Sequence, residues 1–133
     1  MGVRRELIEP VQARLFQVNK TGSLAPVMAP GAFEEGGRLV DALNELLTAG
    51  YDDLQARHAL GYLYWFQSQG MPDEQGRAAR AAAVVLFEPC FLTGAGILPE
   101  QLLPELVERA VPDAMAMLRK GDFGVELKFG NYR

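Results

Sequence analysis

The chain has 133 residues, a length that suits one domain able to bury about two-thirds of its unfolded surface without metal or disulfide staples. Thirteen basic against seventeen acidic residues give a formal charge of −4, with both signs scattered along the chain, which argues against a nucleic-acid surface. A single cysteine, Cys90, rules out an internal disulfide, and no apolar run approaches the roughly 20 residues that span a bilayer, so a cytoplasmic setting is expected.

Residues 3 to 18 place Val3, Leu7, Ile8, Val11, Leu15 and Val18 at three- and four-residue spacings, which predicts an amphipathic helix with a kink or late start at Pro10. From about 19 to 36 the Gly, Pro and Ser content, with Pro26 and Pro30, breaks the periodicity and predicts an irregular loop that Phe33 tacks onto the core. A second helix then begins near Gly37, carries Leu39, Val40, Leu43, Leu46 and Leu47, and stops at Gly50. The third helix is capped by Asp52 or Asp53 and ends at Gly70 and Pro72.

The fourth helix opens at Pro72-Asp73-Glu74, runs through an alanine-rich stretch to Phe87 and is expected to stop before Pro89. After a turn at Gly94 and Gly96, Pro99, Pro104 and Pro112 divide the remainder into two or three short helices reaching Lys120, with Glu105 and Arg109 spaced for an i,i+4 pair. The tail, 121–133, alternates Val125, Leu127 and Phe129 with Glu126 and Lys128, a period of two that reads as one strand. The fold class is therefore all-α, an array of antiparallel helical hairpins with about five to seven helices over residues 1–120.

A loop-to-helix junction recurs: Leu47-Thr48-Ala49-Gly50 before Asp52-Asp53-Leu54-Gln55, and Leu92-Thr93-Gly94-Ala95-Gly96 before Pro99-Glu100-Gln101-Leu102, roughly 45 residues apart. Leu60-Gly61 followed by Tyr64 resembles the Leu-Gly-x-x-Tyr element in the first helix of tetratricopeptide repeats, and Ala83-x-x-x-Phe87 followed by Pro89 resembles their second helix, while Arg57 stands where the repeat carries Trp. The run Arg57 to Phe66, the Met71-Pro72 break and Leu98-Pro99-Glu100-Gln101-Leu102-Leu103-Pro104 are more particularly similar to the divergent repeats that accompany bacterial CHAT-domain proteins. The resemblance implies the accessory helical region alone, since the caspase-like CHAT domain is itself much larger than this chain.

The run Ala59-Leu60-Gly61-Tyr62-Leu63-Tyr64-Trp65-Phe66 contains the only tryptophan and two of the four tyrosines. At about 100° per residue, Gln55, His58, Tyr62, Trp65 and Gln69 share one face with Phe66 at its edge, while Ala56, Leu60, Leu63, Tyr64 and Gln67 form the opposite face. The second set suits packing within its own hairpin. The resemblance implies that the first set lines a concave groove, where Trp and Tyr anchor a protein or peptide partner. Packing of the same stripe on another helix of the chain is the competing account.

No cofactor or metal is expected. His58 is the only histidine and has no cysteine pair near it in the sequence, so a multi-His zinc site is excluded. Sequence separation does not forbid a Cys90–His58 nucleophile pair, but Cys90 follows Glu88-Pro89 in apolar surroundings that suit an inert buried thiol. Gly94-Ala95-Gly96 lacks the Lys and hydroxyl residue of a phosphate loop. The residues point to a protein-binding scaffold that holds a peptide, a partner helix or its own second copy. Two alternatives remain: a small enzyme or ligand-binding protein, which requires a closed aromatic cavity near His58, Arg57 and Arg80, and an obligate homo-oligomer subunit.

Overall fold

Eight prolines in a helical chain must each be reconciled with a missing N–H, and their placement sets the element boundaries. The structure is a computed structural model that describes residues 1–119, with the side chains at 111 and 113–119 excepted. The period-two segment expected over 121–133 lies outside the described residues. Among those described the chain is all-α, with no strand and six helices: α1 (Arg5–Thr21), α2 (Ala25–Met28), α3 (Pro30–Thr48), α4 (Leu54–Gln69), α5 (Asp73–Thr93) and α6 (Leu103–Arg119). A single 3-10 turn, Glu100–Leu102, precedes α6.

Five prolines mark beginnings. Pro26, Pro30 and Pro104 occupy the first two positions of α2, α3 and α6, Pro72 directly precedes α5, and Pro99 flanks the 3-10 turn. In a first turn the N–H has no intrahelical acceptor, so proline removes nothing there and its fixed φ favours the helix. The irregular loop expected over 19–36 is thus mostly helical, and the second long helix starts at Pro30 rather than near Gly37.

The other prolines lie inside helices. α1 runs through Pro10 from Arg5, with neither the late start nor a break there, and the carbonyl that Pro10 leaves without a donor belongs to exposed Glu6, where water serves. α5 likewise continues past Pro89 to Thr93 instead of stopping before it. Pro89 offers no N–H to the Val85 carbonyl, and Arg57 Nη1 reaches that oxygen at a long 3.5 Å. α6 carries Pro112 in its interior, so one helix stands where two or three short ones are expected.

The chain divides into two compact units, Met1–Leu86 and a second from Phe87 onward. In the first, α1 packs on α2, α3 and α4, and α3 packs on α4. Its core joins Ile8, Val11 and Val18 of α1, Val27 of α2, Ala32, Leu39 and Leu43 of α3, and Ala56, Ala59, Leu60 and Leu63 of α4, with Leu86 against its edge. The short link 49–53 makes α3 and α4 antiparallel neighbours. Gly36 lets them cross closely, since a Cβ there would sit 2.8 Å from Leu63 Cδ2.

α2 has four residues and cannot satisfy its own last carbonyls. Side chains from elsewhere do so. Arg14 of α1 donates to the Pro26 carbonyl at 2.9 Å while pairing with both carboxylate oxygens of Glu35, at 2.5 and 3.2 Å. Gln67 of α4, 1% exposed, donates to the Val27 carbonyl at 3.0 Å.

Asp53 caps α4 by accepting from the Ala56 N–H at 3.0 Å through Oδ1, and its Oδ2 accepts from the Val3 N–H at 2.8 Å. Asp52 instead accepts from Arg57 Nε at 2.7 Å. In the second unit Phe87, Cys90, Leu102, Leu106 and Ala110 are buried. Gly94 and Gly96, at φ 68° and 79°, form its turn, and Arg109 Nε lies 2.9 Å from Glu88 Oε2.

Replacing Gln67 with Leu keeps the volume but leaves the Val27 carbonyl without its donor. The expected loss is about 1–3 kcal/mol in urea unfolding, with the m-value unchanged; a neutral result would show that α2 is held by apolar packing alone.

Candidate functional site

Helix α4 owes its position to the Asp53 cap at one end and to Gly70 at the other, where the Gly70 N–H donates to the Gln67 carbonyl at 3.0 Å. No proline interrupts it, so its side chains fan out regularly at about 100° per residue. What surrounds it divides that circumference into three arcs rather than the two faces expected from the wheel.

The first arc carries Ala56, Leu60 and Leu63, all buried in the core cluster, and Gln67 toward α2. Tyr64 is half-buried and packs against the same cluster. The face expected to pack within its own hairpin is therefore buried mainly against α1, α2 and α3.

The second arc meets α5. Arg57 reaches the Val85 carbonyl, and the Arg80 guanidinium carbon lies 5.3 Å from the centre of the Trp65 ring, a cation–π distance. Trp65 is only 9% exposed. Its place on the hairpin side of α4 follows from its angular distance to Tyr62, about 60° on the wheel, which is enough to cross from an outer arc to a helix contact.

The third arc holds the remaining expected site residues. Gln55 and Gln69 are exposed near its two ends, and His58 and Tyr62 are half-buried between them. His58 and Tyr62 ring centres are 5.0 Å apart with planes tilted by 58°, and Tyr62 and Phe66 are 5.8 Å apart at 45°. These tilted contacts at i, i+4 and i+8 make a short aromatic ladder. Phe66 also packs against the core cluster, so the ladder is anchored at one end. The structure brings His58, Tyr62 and Phe66 together, keeps Gln55 and Gln69 outward, and separates Trp65 from them beneath Arg80.

Burial raises the Tyr62 and Tyr64 phenols above their usual value. At neutral pH both are protonated. Cys90 is buried at 1% exposure and lies in the second unit, whereas His58 belongs to the first. Among the described residues no group of three His, Cys, Asp or Glu side chains is placed to hold a metal ion. One surface hollow is lined by Asp41, Asn44, Glu45 and Thr48, and a second lies between residues 1–7 and the end of α3, at Ala42, Leu46 and Ala49. Neither takes a wall from the six expected site residues.

One surface aromatic was not anticipated. Phe16 of α1 is 62% exposed, on the side of the helix away from Ile8, Val11 and Val18. Its omission from the apolar stripe of α1 was the available signal: a large ring off the stripe cannot share the core with it. No described helix is long and apolar enough to cross a membrane. Comparison of the chain with protein-family profiles, with curated proteins and with solved structures returns no match.

Trp65→Ala is expected to cost about 3–5 kcal/mol, read as a lowered melting temperature, because it empties a packed site between α4 and α5; a change below about 1 kcal/mol would place the ring outside the core. A second expectation concerns alkaline pH. Since both phenols hold their protons more tightly folded than unfolded, the native state gains a stability that is complete below about pH 10 and lost as pH rises through the folded values. The Tyr62→Phe/Tyr64→Phe variant should therefore lose less stability between about pH 9 and 11 than the parent chain.

Proposed function

We propose that the chain is a non-catalytic helical docking module, of the tetratricopeptide type that its Leu60-Gly61-x-x-Tyr64 element resembles, and that it takes an amphipathic partner helix or peptide. One observation carries the reading: Phe16, at 62% exposure, is a large aromatic presented to solvent on α1, a helix that packs on α4, and α4 carries the His58–Tyr62–Phe66 ladder. A large exposed aromatic suits a binding anchor, because such rings bring apolar area with little side-chain freedom to lose. Gln55 and Gln69 supply amide donors and acceptors near the ends of the α4 arc, which suits register selection along a bound segment. Trp65 takes a supporting part in this reading, holding α5 against α4 rather than touching the partner. The similarity to helical regions beside CHAT domains favours the product of a neighbouring gene as that partner.

The test uses helical peptides selected by display on the full chain, with affinities then measured for the parent, Phe16→Glu and Gln69→Ala. Both substitutions lie at exposed positions and should leave the melting temperature unchanged. Phe16→Glu is expected to weaken binding at least about tenfold, or about 1.4 kcal/mol. Equal affinities for parent and variants would overturn the assignment of this surface, and concentration-dependent light scattering abolished by Phe16→Glu would make the occupant a second copy of the chain.

A further inference from the structure

We draw no further inference here: the strongest candidate, the α3 face on which exposed Phe33 and Leu47 flank half-buried Val40 at seven-residue spacings, is an apolar helix surface, and nothing in the structure shows what covers it.

Discussion

The first unit depends on how the carbonyls of a four-residue helix are satisfied. α2 lies between α1 and α3 and is too short to be stable by itself. Its Pro26 and Val27 carbonyls point to consecutive donors on different helices, Arg14 from α1 and Gln67 from α4. Arg14 is fixed in turn by Glu35 of α3, whose carboxylate strengthens its hold on the proton. Two long helices thus bond directly to one short one while α3 holds Arg14 in place, and the apolar cluster of Val11, Val27, Leu39 and Leu60 fills the space between. Gly31 belongs to the same arrangement: a Cβ there would sit 2.7 Å from an Arg14 nitrogen, so the guanidinium passes where a side chain would stand.

This scaffold determines what α4 can present. Two of its arcs are committed to neighbours, one to α1, α2 and α3 and the other to α5. The third arc carries Gln55, His58, Tyr62 and Gln69, and its aromatic members are half-buried. On the docking reading proposed above, a surface built this way is stiff. The ladder is tied to the core through Phe66, so a partner would meet rings already held in place and would lose little entropy in ordering them. Phe16 differs, being exposed on α1.

The sequence showed most clearly the features whose causes are local. The start of α4 could be read from an Asp cap and its end from Gly70, because the groups that satisfy the helix ends lie within a few residues. The Leu39, Leu43 and Leu46 stripe of α3 was equally plain. The stretch around Pro26 and Pro30 was not, since a proline that begins a helix and one that ends it look alike until the partners of nearby carbonyls are known. Those partners are 12 and 40 residues away in sequence, and the Arg57 contact that accompanies passage through Pro89 spans 28. The same limit applies to the aromatic helix. The helical wheel groups Ala56, Leu60, Leu63 and Gln67 as one buried side, but periodicity carries no information about which neighbour covers each side, and so nothing in it places Trp65 against Arg80 of α5.

Asp53 joins two segments that are 50 residues apart, with one carboxylate oxygen on the first turn of α4 and the other on the Val3 amide. The two oxygens close α1, α2 and α3 into a single loop pinned at one side chain. Closing a loop of that length carries an entropic cost that grows only slowly with the number of residues inside it, so extra residues between α1 and α3 would burden the closure little. The weak point of the ring is its clasp. Shortening that side chain to hydroxyl length would retain a helix cap while releasing the opening segment, so capping and closure, which the folded chain combines in one group, are separable by chemistry.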